Sequence, residues 1–131
     1  MLFGGPLAAP RDYCVHMTRT ITTDGLKKLR KGNEGFVLID VLSKAQFDKE
    51  HIPGARNVPL DSQDFVGMVA EKASGSRNRK VVLYCGGPDC DASAKGVKML
   101  MTNGFTCVSA YSGGLASWRE SGGTRVAKVK A

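Results

Sequence analysis

At 131 residues, 42% of them hydrophobic and 24% charged, the chain is long enough for one domain with a buried core and too short for two. A formal net charge of +7 favours anionic partners, but no aromatic residues interleave with the basic ones, which argues against a nucleic-acid surface. Cys14, Cys85, Cys90 and Cys107 are too sparse for a disulfide scaffold, no C-x2-C pair suggests zinc, and no stretch approaches a membrane span.

Residues 1–18 read as a flexible arm rich in Gly, Pro and Ala. The arm lacks a charged segment followed by an apolar core of secretory length, so a cytoplasmic location is expected. The domain proper is expected over 19–122, with a basic tail over 123–131 that has no core pattern. Thr20-Ile21 opens it as a short strand. Thr22 or Thr23 then caps a helix to about Lys31, with Leu26 and Leu29 on its apolar side and Gly32-Asn33 as its stop.

Phe36-Val37-Leu38-Ile39 is a strongly apolar strand ending at Asp40-Val41. A short helix over about Lys44–Lys49 follows, with Ala45 and Phe47 as its apolar positions. His51-Ile52-Pro53-Gly54-Ala55 turns the chain into a brief strand at Arg56-Asn57-Val58. Asp61 is expected to cap a helix carrying Phe65, Met68, Val69 and Ala73, and Ser74 to Arg79 is a polar connector. After the central stretch described next come a strand at about Thr106–Ala110, the turn Ser112-Gly113-Gly114, and a short helix holding Trp118. Strands alternating with helices predict an α/β domain with a mostly parallel, twisted sheet flanked by helices.

The stretch richest in chemistry is Val81 to Ser93. Val81-Val82-Leu83-Tyr84 is too short and too β-rich for a helix, and Gly86-Gly87-Pro88 stops it at once. From Ser93, Val97, Leu100 and Met101 fall on one helical face, closed by Asn103-Gly104. Cys85 therefore stands at the carboxyl end of a strand, where open α/β sheets place their ligands. Inward-pointing loop amides and the helix N-terminus are expected to favour the thiolate and make it nucleophilic.

Several stretches together resemble the rhodanese family of sulfurtransferase domains. They are Leu38-Ile39-Asp40-Val41, Phe47 with His51-Ile52-Pro53-Gly54-Ala55, and Asn57-Val58-Pro59. Val82-Leu83-Tyr84-Cys85, Asn103-Gly104-Phe105, Gly113-Gly114-Leu115 and Trp118 continue the pattern, in order, across about residues 20–122. The resemblance implies a single rhodanese-like domain whose Cys85 carries sulfane sulfur as a persulfide, taken from a donor and passed to a nucleophile. It implies an active-site loop of Gly86, Gly87, Pro88, Asp89, Cys90, Asp91, Ala92 and Ser93, with Asp40 as the acidic position that organises the loop. The implied partners are a small anionic sulfane donor and a thiol or other nucleophilic acceptor, a protein included. No cofactor, metal, nucleic acid or membrane is implied.

The loop departs from the family pattern in two ways. It has no basic residue between Cys85 and Ser93, which argues against thiosulfate as the natural donor, and it is about two residues longer than the compact form. A C-x5-R phosphatase loop is excluded because Asp91 stands where the arginine would grip phosphate. Cys90 reads either as a resolving thiol for Cys85 or as a small apolar plug. Alternative functions are a sulfur carrier that docks a partner and a dithiol redox protein using Cys85 and Cys90. His51 reads as a local hydrogen-bonding residue, Trp118 as packing, Ser93 as a cap or brace, and Lys27-Lys28-Arg30-Lys31 as a solvated helix face. Cys14 and Cys107 read as incidental, and Arg56 and Arg119 as rim charges.

Overall fold

The computed structural model describes residues 20–32, 35–87, 90–122 and 126–127. The expected arm over 1–18, the tail beyond its strand at 126–127, Cys14, and the loop positions Pro88 and Asp89 lie outside the described residues. The elements are β1 (Thr20–Ile21), α1 (Thr23–Gly32), β2 (Val37–Asp40), α2 (Lys44–Lys49), β3 (Glu50–His51) and β4 (Arg56–Asn57). They continue with α3 (Phe65–Lys72), β5 (Val81–Tyr84), α4 (Ala92–Thr102), β6 (Val108–Tyr111), α5 (Gly114–Glu120) and β7 (Val126–Ala127). Five strands form a parallel sheet in the order β1-β6-β5-β2-β4, so β5 is the middle strand. A second, two-stranded sheet pairs β3 with β7 antiparallel.

The apolar runs of β2 and β5 are buried at every residue because helices cover both faces of the sheet. Side chains alternate between those faces. Val37, Ile39, Val81, Leu83 and Cys85 join the core under α3 and α4, with Phe65, Val69, Val97 and Leu100. Leu38, Val82, Tyr84 and Tyr111 join the opposite core, with Leu26, Ile52, Leu115 and Trp118. Gly96 lets α4 approach closely, since a Cβ there would stand 2.8 Å from Leu83 Cδ1. Leu83 is fully buried, so truncating it to Ala costs about 2–5 kcal/mol.

Local signals fix most of the helix ends. Thr22 Oγ1 accepts from Gly25 N–H at 3.0 Å at the start of α1. α4 closes with Gly104 N–H on the Met101 carbonyl and Phe105 N–H on the Leu100 carbonyl, and Gly104 takes φ +94°. That is the Schellman arrangement expected of Asn103-Gly104, with Phe105 and Leu100 meeting in the core. No described helix is long and apolar enough to cross a membrane.

Four details differ from expectation. Asp64, not Asp61, caps α3, accepting from Gly67 N–H at 3.1 Å. The residues before it are taken up by a turn in which the Pro59 carbonyl accepts from both Ser62 N–H and Ser62 Oγ. α2 buries no residue and rests on a capping box between Ser43 and Gln46. β6 begins at Val108 because Thr106 is held outside the sheet by the Arg77 carbonyl and by Asn78. The tail contributes β7, a strand with no periodicity of its own, which exists through its pairing with Glu50 and His51.

Candidate active site

Cys85 follows Tyr84, the last residue of the middle strand, and is 1% exposed. The sulfur meets atoms of the loop and helix that follow it. Cys85 Sγ donates to the Cys90 carbonyl at 3.4 Å and lies 3.9 Å from the Ser93 hydroxyl. The backbone around it is clamped from the far side of the loop. Leu115 N–H donates to the Cys85 carbonyl and Ala116 N–H to the Gly86 carbonyl, both at 2.9 Å. Gly114 makes this close approach possible, with φ +62° and a position where a Cβ would stand 2.5 Å from Cys85 O and 2.7 Å from Gly87 N. The sequence reading placed Gly113-Gly114 in a turn and missed that the second glycine supports the cysteine loop.

The electrostatics correct the expected low thiol pKa. Burial pushes the Cys85 thiol above its ordinary value, and the neighbouring Cys90 thiol raises it further as a hydrogen-bond partner and as a like charge. Ser93 opposes them through its backbone N–H first and its hydroxyl second. Among the described residues, then, the sulfur meets one amide and one carbonyl rather than a ring of amides. The carbonyl contact suits S–H and would repel S⁻, in line with the upward push of burial on the thiol.

Ser93 is not the helix cap; that position is Asp91, whose side chain makes no capping bond. Ser93 is instead buried at 2% exposure with its hydroxyl toward the sulfur. Asp91 is exposed and faces Lys95 at 3.6 Å. Cys90 is half-buried, and its N–H donates to the Gly87 carbonyl at 3.0 Å, folding the loop back on itself. Ala92 opens α4 and packs against the same core as Cys85.

Asp40 is not brought to the loop. It pairs in register with Tyr84, one residue before Cys85, and so projects to the opposite face of the sheet. Its Oδ1 accepts from Leu42 N–H at 2.8 Å, while Asn57 Nδ2 donates to the carbonyls of Asp40 and Leu42. It organises the β2–α2 connection rather than the Cys85 loop. Its Oδ2 is buried without a hydrogen-bond partner among the described residues. Burial raises the Asp40 pKa, against the opposing pull of Leu42 N–H and then of Tyr84 and His51. Tyr84 Oη itself accepts from Ile52 N–H at 3.0 Å, and burial drives its pKa upward.

The other candidates fall into structural roles. His51 Nδ1 bonds the Phe47 carbonyl at 2.8 Å and its ring stacks on Phe47 at 3.7 Å, as a local brace. Trp118 is buried, with Lys27 and Arg30 over its ring at 5.7 and 5.4 Å, so two members of the basic cluster pack rather than simply face solvent. Arg30 also donates to the Pro53 carbonyl at 2.7 Å. Arg119 pairs with Glu50 at 2.8 Å, and Arg56 is exposed on β4. Cys107 is buried and disulfide-bonded, which sets it apart from the free thiols of Cys85 and Cys90. Among the described residues no cluster of His, Cys, Asp and Glu is placed to hold a metal ion. A groove of about 420 Å³ between α4 and the sheet, lined by Thr20, Val97, Met101 and Ala110, does not include Cys85.

With this geometry in hand, known proteins give a consistent match. The family model for the rhodanese-like domain matches residues 22–121. The uncharacterized protein YqhL of Bacillus subtilis (strain 168) is 31% identical over 104 residues, covering 79% of this chain and 77% of that one. The solution structure of the rhodanese-like domain of the Alr3790 protein from Anabaena sp. is 28% identical, with a TM-score of 0.72 over 85% of this chain and 80% of that one. A thiosulfate sulfurtransferase from Pseudomonas aeruginosa shares the fold, with a TM-score of 0.73 at 21% identity. That match spans 91% of this chain and 23% of the larger protein.

Proposed function

The chain belongs to the rhodanese-like domain family, and on that premise we propose that it is a sulfurtransferase working through a persulfide on Cys85. The observation that carries this reading is the place of the free thiol. It ends the middle strand of the sheet, at the base of a loop clamped by backbone bonds, with Ser93 N–H and Oγ toward the sulfur.

Reaction begins from the thiol. Loss of its proton to solvent turns the Cys90 carbonyl from an acceptor into a repulsive neighbour, while the Ser93 N–H and hydroxyl favour the anion. The thiolate attacks the sulfane sulfur of the donor. One S–S bond breaks, its electron pair leaves with the rest of the donor, and a new S–S bond makes the Cys85 persulfide. A thiol or other nucleophile then takes the outer sulfur and returns the Cys85 thiolate. A thiol persulfide suits the site better as donor than the doubly anionic thiosulfate, because the loop 86–93 supplies no cationic side chain.

Intact-mass measurement after incubation with thiosulfate or glutathione persulfide tests the reading. The expected result is a gain of one sulfur in the parent protein and none in Cys85→Ser. A gain that persists in Cys85→Ser places the acceptor thiol elsewhere and overturns the proposal. The 1% exposure of Cys85 favours a second reading, a carrier loaded by a docked protein rather than by free small donors. That reading predicts single loading by glutathione persulfide without catalytic turnover.

A further inference from the structure

Cys90 is the group at this site for which transfer through Cys85 alone has no use. Two free thiols stand in one loop, the first buried and the second half-buried. Cys85 Sγ already touches the Cys90 main chain at 3.4 Å, and the Cys90 side chain packs against the apolar cluster that contains Cys85. The bond from Cys90 N–H to the Gly87 carbonyl turns the second cysteine back toward the first. The main chain at the Cys85 end is anchored, because Leu115 and Ala116 hold the carbonyls of Cys85 and Gly86. The mobile partner of any reaction between the two sulfurs is therefore Cys90. The Cys90 thiol also acts on the protonation of Cys85 directly, so the two sulfur groups sense each other across the loop.

We propose that Cys90 resolves the Cys85 persulfide, closing a Cys85–Cys90 disulfide and releasing the carried sulfur as hydrosulfide. The step rests on the persulfide reading above. The Cys90 thiolate attacks the inner sulfur, which is Cys85 Sγ; the Sγ–S bond breaks, and its electron pair leaves with the outer sulfur. The proton given up by Cys90 goes to that leaving group, making HS⁻. The sulfane sulfur is reduced by two electrons and the two cysteine thiols are oxidised by two, so the step is balanced. An external dithiol then reduces the disulfide and resets the site. The loop thus has two exits for sulfur: transfer to an acceptor when one is docked, and reductive release as sulfide when none is. The geometric demand is that the two Cα atoms come within about 7 Å of each other.

The test uses the full chain. Parent and Cys90→Ser are reduced, loaded with glutathione persulfide, freed of excess donor, and followed in time by intact mass and by a sulfide assay. In the parent, free sulfide appears as the added sulfur is lost, and the tryptic peptide 81–95, which holds both cysteines, becomes lighter by two hydrogens than its reduced form. In Cys90→Ser the persulfide lasts about tenfold longer or more and sulfide release slows to match. Equal persulfide lifetimes in the two proteins, or sulfide release without the lighter peptide, overturn the proposal. A second arm needs no loading: a thiol-specific oxidant such as diamide gives the same lighter peptide from the reduced parent, and failure to form it overturns the proposal by itself. If neither protein gains sulfur at all, the persulfide reading falls and this step with it. Loading without resolution removes only the role of Cys90.

Discussion

Cys85 and Asp40 lie at the ends of neighbouring strands, project to opposite faces of one sheet, and both have pKa values raised first by burial. Their surroundings differ. The Cys85 sulfur meets atoms of the loop that follows it, a carbonyl at Cys90 and a hydroxyl at Ser93. Asp40 instead accepts from Leu42 N–H, in a region where Asn57 ties the chain together. A perturbed pKa at a strand end is thus common to a thiol that faces a loop and to a carboxyl held within the frame. What separates them is whether the partners belong to an adaptable loop or to the frame.

The largest break in this comparison is Gly114→Ala. The added methyl meets Cys85 O and Gly87 N while the backbone holds φ +62°, so unfolding in urea should show a loss of about 2–4 kcal/mol. Sulfur loading should fall with it, although residue 114 touches no sulfur. Next comes Asp40→Ala, which strands the half-buried Leu42 N–H and costs about 1–2 kcal/mol without altering the Cys85 thiol's pH response.

Asp40→Asn sharpens the same point through pH. The folded carboxyl titrates above its ordinary 3.8, so the native state binds the proton more tightly than the unfolded chain. Ionised Asp40 therefore costs stability at neutral pH, and the cost is relieved as pH falls through its native pKa toward 3.8. The Asn variant keeps an acceptor for Leu42 and carries no such cost. Its melting temperature should exceed the parent's at pH 7, by a margin that narrows toward pH 4.

A smaller effect is expected from Asp91→Arg. It removes an exposed carboxylate beside Lys95 and adds a cation near the loop, so the KM for thiosulfate should fall a few-fold, on the order of 1 kcal/mol at most. The smallest concerns the thiol itself. Iodoacetamide labelling of Cys85 should inflect above pH 9.0, with Cys90→Ala moving the inflection down and Ser93→Ala moving it slightly up. An inflection near neutrality would restore the thiolate expected from the loop alone.

The frame was legible in the sequence because β2 and β5 are unbroken apolar runs and Asn103-Gly104 is a strong helix stop. β7 was not legible, since two residues carry no period and the strand is defined by its partner. Asp61 was expected to cap α3, and Asp64 takes that place because the turn at Pro59 uses up the residues between them, a turn with no helical period to betray it. At the site, Cys85 was legible as a strand-end cysteine before glycines. That the Cys90 carbonyl faces its sulfur depends on peptide orientation, which sequence does not encode locally. The separation of Asp40 from the loop could have been counted: it shares register with Tyr84, and the next residue in a strand points the other way.

The clamp from Leu115 and Ala116 onto Cys85 and Gly86 is made wholly of main-chain groups. Any residue other than proline can supply an N–H at 115 or 116, and any residue at all can supply the carbonyls. Anchoring Cys85 in this way asks nothing of the side chains at 90 and 91 for holding residues 85 and 86. Under the proposed persulfide function, variation there would retune donor preference and redox behaviour while the sulfur keeps its place, so selectivity and positioning would be free to evolve separately.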